Sequence, residues 1–287
     1  MGDFIFINSK NIDSESGNTW NGPFVFIQGA DTQLGMIENY LEKRPNPKWD
    51  KELELIKISI EKVNKMSPKP KFFVVCGDLV DAFPGTPYRE DQVSDFKKAF
   101  ESLDKSIPLV CVCGNHDVGN VPTPEAVHKF RSDHGPDYFT FYVGGVIFIT
   151  INSQYYENRT MVKEIAEEQD KWLDDVLAKV VNFKHAVIFQ HIPWFLHEPN
   201  EEKEYFNIEC ELRKRMLEKF YSAGIRTIFC GHYHRNAGGK YKDLELIVTS
   251  AVGAQLGTDK SGLRVVHVKD DAIEHKYYAL EDVPENV

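Results

Sequence analysis

The sequence predicts a mixed α/β fold in which two mixed β-sheets stack face to face with helices on the outside. Two observations predict this arrangement. Helices alternate with buried strands in the early part of the chain, and hairpin-like strands appear in the middle and at the end. In layered folds of this kind, ligands collect beyond the strand ends. The chain has 287 residues, which is enough to form one large core.

Strands are predicted where short apolar runs end at turn-forming residues. The first is the run PFVFIQGAD, at 23–31, and Gly144-Gly145 joins two later strands as a strong hairpin signal. The other predicted strands are 72–76, 109–113, 137–143, 146–152, 185–190, 225–230, 244–250, 263–269 and 273–280.

Helices are predicted where apolar residues recur at every third or fourth position. The predicted helices cover 51–65, 91–105, 164–180 and 210–223. The segment NAGG, at 236–239, has turn character. Residues 1–20 are polar and irregular apart from an apolar patch, so we expect an N-terminal lead-in there and a single domain over 21–287.

The composition excludes several classes of function. A formal net charge of −10 with no long basic run argues against nucleic-acid binding. No apolar run approaches the ~20 residues that span a bilayer. The N-terminus lacks the basic and apolar regions of a signal peptide. Five scattered cysteines fit reduced thiols better than disulfides, so we expect a cytoplasmic protein. Nothing in the sequence indicates an oligomeric state.

Five predicted strands are each followed by a polar cluster able to bind metal. Glycines before three of the clusters permit tight turns that aim the next side chain out of the sheet. Carboxylate, amide and imidazole form a mixed set of ligands that suits Mn, Fe or Zn better than Ca or Mg. The clusters are Asp31-Thr32-Gln33, Gly77 to Asp81, Gly114-Asn115-His116-Asp117, Gln190 to Pro193, and Gly231 to His234.

The order of these clusters, from 31 to 234, resembles the calcineurin-like metallophosphoesterase superfamily. The resemblance implies its four-layer fold, two divalent metal ions, and hydrolysis of phosphomonoesters by a metal-bridging hydroxide. Longer stretches, among them WNGPFVFIQGAD and GHYHRNAGG, resemble a protein serine/threonine phosphatase of the superfamily. The implied substrate is therefore phosphoserine or phosphothreonine in a protein, or else a small phosphoester.

The resemblance also implies a role for each residue. Asp78 would bridge the two metal ions. One metal would be completed by Asp31 and His234 with Gln33 nearby, and the other by Asn115, His191 and His232. His116 would bind no metal; it would face the substrate and protonate the leaving alkoxide. Asp81 would orient the His116 ring by accepting a hydrogen bond. Asp117 is either a second orienting group or a cap.

Gln33 departs from the family pattern, in which most members have His. An amide oxygen is a weaker ligand than imidazole, so we expect weak binding at that metal and dependence on Mn(II) or Mg(II), with Mn(II) favoured in assays. The same variation resembles Mn-dependent ADP-ribose/CDP-alcohol pyrophosphatases, which is the alternative function. Cys113 stands where phosphoprotein phosphatases carry a phosphate-binding Arg. Arg235 could bind phosphate or form a surface salt bridge. The presence of His116 and Asp81 argues against a non-catalytic scaffold.

Overall fold

The computed structural model describes residues 19–287, which form two β-sheets packed face to face between two layers of helices. This architecture confirms the fold predicted from the sequence. Most of the expected lead-in, residues 1–18, lies outside the described residues. The limits of the single domain over 21–287 stay a prediction. No helix within 19–287 has the length and apolar character needed to cross a bilayer.

The described residues form eleven strands and seven α-helices, numbered here in chain order. The strands are β1 Phe24–Gly29, β2 Phe73–Cys76, β3 Leu109–Val112, β4 Phe139–Val143, β5 Val146–Thr150, β6 His185–Phe189, β7 Thr227–Cys230, β8 Ala237–Tyr241, β9 Leu244–Val248, β10 Gly262–Val268 and β11 Ile273–Ala279. The helices are α1 Asp50–Lys65, α2 Arg89–Phe100, α3 Asn115–Val118, α4 Pro124–His134, α5 Gln154–Glu157, α6 Lys163–Leu177 and α7 Cys210–Ala223.

Both sheets are mixed. The first has the order β11-β10-β1-β2-β3, and the second has the order β4-β5-β6-β7-β9-β8. Strands β1, β2 and β3 are parallel to one another, as are β5, β6, β7 and β9. Antiparallel strands lie only at the margins of the described sheets.

Phenylalanine rings from both sheets fill the space between them. Phe26 of β1 lies 5.5 Å, centroid to centroid, from Phe148 of β5, and Phe72 lies 4.9 Å from the same ring. Phe189 and Phe229 belong to the same cluster. Fully burying each such ring contributes about 1.5–3 kcal/mol, so this layer fixes the two sheets against each other.

The outer faces of the sheets bury the helices, because side chains alternate along each strand. Val25 and Ile27 of β1 point away from the phenylalanine layer and pack with Ile56, Ile60 and Val63 of α1. The outer face of the second sheet packs against α6 and α7 in the same way. The apolar residues predicted at helical spacing in α1 are therefore the ones that face the sheet.

Several elements differ from the sequence prediction, which gave a turn where β8 begins and none of the helices α3, α4 and α5. Residues 237–239 begin the edge strand β8 rather than a turn, because they pair with β9 despite two glycines with low strand propensity. Helix α4 was not predicted. It starts with a good N-cap, since Thr123 accepts the Ala126 N–H and proline occupies the first helical position.

Candidate metal centre

The predicted metal ligands all follow the carboxyl ends of parallel strands. Asp31 follows β1, Asp78 follows β2, Asn115 follows β3, His191 follows β6 and His232 follows β7. The main chains of these loops are also joined, since the Asp31 N–H donates to the Gly77 carbonyl at 3.0 Å. The clusters that are far apart in sequence therefore meet at one edge of the stacked sheets.

Five of these residues have a left-handed backbone although none is glycine. Such a conformation is uncommon outside glycine and concentrates at functional sites. The φ angles are 51° for Asp31, 36° for Gln33, 50° for Asp78, 71° for His232 and 52° for His234. The chain thus turns sharply after β1, β2 and β7 and holds these side chains at the sheet edge.

The glycines before the clusters have two different roles. Gly77 has a φ of 83°, as expected for a glycine that makes a tight turn. Gly114 has a φ of −110°, which any residue adopts. A Cβ on Gly114 would lie 2.3 Å from the Asp78 backbone nitrogen, so this glycine provides space for Asp78.

The first group of ligands, here the His191 group, comprises Asp78, Asn115, His191 and His232. Its centre is the Nε2 atom of His191. That atom lies 3.0 Å from Asn115 Oδ1, 3.1 Å from His232 Nδ1 and 3.2 Å from Asp78 Oδ2. Ligands placed at right angles about 2.1 Å from a cation are about 3 Å apart, so this spacing fits a metal ion.

The second group, here the Asp31 group, comprises Asp31, Asp78 and His234, and we add Gln33 because it lines the same cavity as Asp78 and His234. His234 Nε2 lies 3.3 Å from Asp31 Oδ1, and ligand atoms of Asp31, Asp78 and His234 all fall within 4.8 Å of one another. Asp78 belongs to both groups. A carboxylate has two oxygens, so Asp78 can bind both cations at once.

Gln33 supplies an independent test of whether a cation fits. Its side chain is 2% exposed, and its amide nitrogen donates to Asp81 Oδ1 at 3.2 Å. Its amide oxygen is buried without a hydrogen-bond partner. A buried acceptor in this state costs free energy. A divalent cation held by the Asp31 group would satisfy it, so Gln33 fits a metal ion in that group.

Each of the three histidines predicted to bind metal is held by a backbone carbonyl through its other ring nitrogen. His191 Nδ1 lies 2.8 Å from the Cys76 oxygen, His232 Nε2 lies 3.3 Å from the Tyr205 oxygen, and His234 Nδ1 lies 2.6 Å from the Ala254 oxygen. Each carbonyl requires an N–H on that nitrogen. The opposite nitrogen therefore presents its lone pair to the metal centre, as in metal-binding histidines generally.

Buried charge dominates the electrostatics of the centre. Burial lowers the pKa of His191, but the adjacent Asp78 carboxylate outweighs this effect and raises the pKa to about 9. Burial and the neighbouring His191 both hold the pKa of His232 well below its usual range. Without metal, a proton on His191 supplies positive charge that cations would otherwise supply.

His116 lies beside the two groups. Its backbone N–H donates to Asp78 Oδ1 at 2.8 Å, and its ring stacks on Phe83 with centroids 4.2 Å apart. Its Nδ1 lies 2.5 Å from the main-chain carbonyl oxygen of Asp81 and 3.8 Å from the Asp81 carboxylate. Asp81 thus contacts the His116 ring through its main chain rather than its side chain.

The Asp81 carboxylate has a different function. It accepts hydrogen bonds from the side-chain amides of Gln33, at 3.2 Å, and Asn39, at 2.7 Å. The amide nitrogen of Gln33 is therefore turned toward Asp81, and the amide oxygen of Gln33 is the atom that stays available to a metal ion.

Asp117 acts as a cap, which was one of the two alternatives. Its carboxylate accepts the backbone N–H groups of Asp78, Leu79 and Gly114 at 2.8–3.2 Å. Burial raises its pKa to about 6, although Arg89 opposes that shift. Asp117 therefore fixes the loop that carries Asp78.

Sequence reasoning missed Arg89, Asn120 and Tyr205. Arg89 is buried and donates to the carbonyls of His116 and Asp117 at 3.0 and 3.1 Å. Asn120 and Tyr205 both contact the side chain of Asn115. None of the three occupies a motif position with ligand spacing. Their sequence signal is at most the nearness of Asn120 to the GNHD cluster.

Arg235 is held by the main chain. Its guanidinium donates to the carbonyl oxygens of Leu256 and Tyr233 and lies 4.7 Å from the Tyr233 ring centroid. Within residues 19–287 no carboxylate lies in salt-bridge range of this guanidinium, and the phosphate contact considered from the sequence stays a prediction.

Two groups of ligands sharing one carboxylate, with an imidazole beside them on this layered fold, define a dinuclear metal-dependent phosphatase. Residues 30–236 match the family model described as calcineurin-like phosphoesterase. The chain belongs to that family, and it is a hydrolase of phosphoesters.

Curated relatives cover nearly the whole chain. The serine/threonine-protein phosphatase CPPED1 of Bos taurus is 47% identical over 277 residues, which cover 95% of this chain and 88% of the relative. The Danio rerio protein of the same name is 44% identical over 281 residues, which cover 96% of this chain and 91% of the relative.

Solved structures share the fold at low identity. A dimetal phosphatase from Danio rerio superposes with a TM-score of 0.64 at 16% identity, over 90% of this chain and 97% of that one. A purple acid phosphatase from yellow lupin gives a TM-score of 0.62 at 13% identity, over 92% of this chain and 52% of that one. These similarities show the fold alone.

Proposed function

We propose that this protein removes phosphate from phosphoserine or phosphothreonine in proteins, using two divalent metal ions. The observation that carries the proposal is the sharing of Asp78 by two groups of ligands, with the ring of His116 beside them. Relatives at 44–47% identity are named serine/threonine-protein phosphatases, which supports a protein substrate.

The Asp31 group and the His191 group would each hold one metal ion. When bound, the ions neutralise phosphate charge and lower the pKa of coordinated water. Seven side chains would act as ligands: Asp31, Gln33, Asp78, Asn115, His191, His232 and His234. Gln33 is the weakest of these, so we propose Mn(II) as the metal that best supports activity in assays.

His116 would donate a proton to the leaving serine or threonine oxygen. Its Nδ1 holds a proton against the Asp81 carbonyl, so the transferable proton sits on Nε2. Stacking on Phe83 fixes the plane of the ring, which directs Nε2 at the substrate.

A cavity of about 650 Å³ adjoins this constellation, and His116, Asp78 and His232 are among its lining residues. A cavity of this size accepts several side chains rather than phosphate alone. Four of the five free cysteines are buried, which supports a reducing, cytoplasmic location. We propose that residues 21–287 act as one domain and bind no nucleic acid.

A small-molecule pyrophosphatase is the second candidate, and Gln33 is the observation that favours it. The two functions are tested by assaying the Mn(II)-loaded protein on a phosphoserine peptide, p-nitrophenyl phosphate and ADP-ribose in parallel. We expect kcat/KM to be highest on the peptide. Predominant cleavage of ADP-ribose would overturn the proposal.

A further inference from the structure

Exposed apolar side chains concentrate around the metal centre. Within residues 19–287, seven large apolar side chains are exposed. Tyr40, Tyr88 and Tyr205 line the main cavity, and Val121 lines a smaller neighbouring cavity with Tyr205. An exposed apolar patch beside a reaction centre indicates a binding surface rather than chance exposure.

One part of the main cavity, here called the apolar lobe, is built by two segments near 36–47 and 83–88. Its walls are uncharged apart from one arginine. The lining side chains used here are Met36, Tyr40, Pro45, Pro47, Phe83 and Tyr88. The arginine, Arg44, is paired with Glu38 at 3.1 Å and Glu42 at 2.6 Å, so it carries little free charge into the lobe.

The lobe is continuous with the reaction centre. Phe83 forms part of its wall and also stacks on the ring of His116 at 4.2 Å. A group that lies in the lobe is therefore one side chain away from the imidazole that faces the substrate.

The backbone around the lobe has two unusual conformations. Residues Ile37–Leu41, which carry Tyr40, form a π-helix, a form found frequently at functional sites. Tyr88 has a φ of 71°, in the left-handed region. Its ring is supported by Trp49 at 6.1 Å, and Trp49 is itself held by a hydrogen bond to Asp95 at 3.0 Å. The ring of Tyr88 is therefore held by local structure, and Tyr40 projects from an unusual helical turn.

We infer that the apolar lobe binds an apolar, preferably aromatic, side chain next to the phosphorylated residue of a polypeptide substrate. This inference rests on the proposed function. Tyrosine faces and proline rings pack well against another aromatic ring. A charged side chain would lose hydration there without gaining a partner. The metal centre then selects the phosphate, and the lobe selects the sequence around it.

The test uses phosphoserine peptides that differ at one flanking position. Phe, Gly or Asp is placed in turn at each of the two positions before and after phosphoserine. With Mn(II)-loaded full-length protein, we expect kcat/KM at one position to be about tenfold higher for Phe than for Gly, the effect of filling one apolar pocket. Asp at that position gives the lowest value.

Two variants locate the effect. Tyr40→Ser, alone and combined with Tyr88→Asn, lowers the Phe-to-Gly ratio of kcat/KM toward 1. Asparagine tolerates the left-handed backbone at 88. Val181→Ser is the matched control, because Val181 is 83% exposed and lies away from the cavity linings, and it keeps the ratio.

Three results would count against the inference. Equal hydrolysis of all peptides, or a preference that survives Tyr40→Ser, would overturn the lobe as a subsite while leaving the proposed function intact. Failure to hydrolyse any peptide, with turnover of p-nitrophenyl phosphate retained, would overturn the protein substrate and the inference with it.

Discussion

The side-chain amide of Asn115 donates a hydrogen bond to Asn120 Oδ1 at 3.0 Å, and this bond turns the oxygen of Asn115 toward His191 Nε2. Tyr205 contributes a weaker contact to the same amide at 3.4 Å. A residue five positions along the chain therefore decides which atom of Asn115 faces the metal centre.

Replacing Asn120 with Ala should weaken metal binding by the His191 group about tenfold, as the loss of such a supporting contact typically does. Mn(II) titration by calorimetry measures the change. Asn120→Asp keeps an acceptor for the Asn115 amide and should restore most of the affinity. If Ala and Asp weaken binding equally, Asn120 does not act by positioning Asn115.

Mild chelation should remove one metal ion before the other. The Asp31 group contains the neutral amide of Gln33, whereas the His191 group has two imidazoles. We expect metal content to fall first to about one ion per chain, measured by elemental analysis. Gln33→His should remove this difference by supplying a stronger ligand. Simultaneous loss of both ions from the unmodified protein would contradict the expectation.

His116→Ala should lower kcat by roughly two to four orders of magnitude, as the loss of a general acid does. Metal content should not change, because the ring is bound to a carbonyl and stacked on Phe83 rather than pointing to a metal. Activity and elemental analysis on the same preparation check both statements. Loss of metal in this variant would make His116 a ligand.

Arg213→Met should lower the free energy of unfolding by about 3 kcal/mol, because buried carbonyls lose their partners. The Arg213 side chain is fully buried and donates to the carbonyls of Pro199, Glu201 and Ile208 at 2.7–3.1 Å. It thereby braces the segment that carries Tyr205. Urea unfolding measures the loss.

Arg215→Met on the same helix is the control for Arg213, because Arg215 is exposed. Hydrogen exchange should increase over 199–208 in the Arg213 variant and remain unchanged in the Arg215 variant. Equal exchange in both variants would show that the segment is held by other contacts.

Stability should fall between pH 7 and pH 5 because of His134. Burial, assisted by Lys97, lowers the pKa of His134 from 6.5 to about 3. Between these values the unfolded chain binds a proton that the folded chain does not, so acid favours unfolding. The contribution of this one group between pH 7 and pH 5 is about 2 kcal/mol.

Urea unfolding of the metal-free protein at both pH values measures this contribution. His134→Gln should reduce the difference between the free energies of unfolding at pH 7 and pH 5 by about 2 kcal/mol. His128→Gln, which changes an exposed ring, should leave that difference unchanged. An unaltered pH dependence in His134→Gln would assign the acid sensitivity to other groups.

The sequence was most informative where metal chemistry restricts the residue types. The clusters containing Asp31, Asp78, Asn115, His191 and His232 each follow a buried strand, and parallel strands bring their ends to one edge. Periodicity alone predicts such strands, and the oxygen and nitrogen ligand types predict that metal ions bind at this edge. The stacking of the two sheets follows from the same alternation of side chains.

The remaining features depend on backbone angles and distant contacts that periodicity does not encode. Asp81 contacts His116 through its main-chain carbonyl because of the way the 78–81 loop turns. From the sequence alone, an aspartate at that position suggests a contact through its side-chain carboxylate instead. Arg89 reaches carbonyls 27 and 28 residues away. Strand β8 has a composition typical of turns and forms only because β9 lies beside it.

The left-handed backbone of Asp31, Gln33, Asp78, His232 and His234 sets stability against function at the same positions. Each non-glycine residue held there costs about 1 kcal/mol or more, and glycine would adopt the conformation freely. Glycine at 31 or 78 would also remove a buried carboxylate. Those two carboxylates accept the backbone N–H groups of His232 and His116 and pair with buried histidines, so their loss destabilises the fold. A screen that rewards only folding should therefore enrich glycine at 33, 232 and 234 but not at 31 or 78, and a screen that rewards catalysis should eliminate it at all five positions.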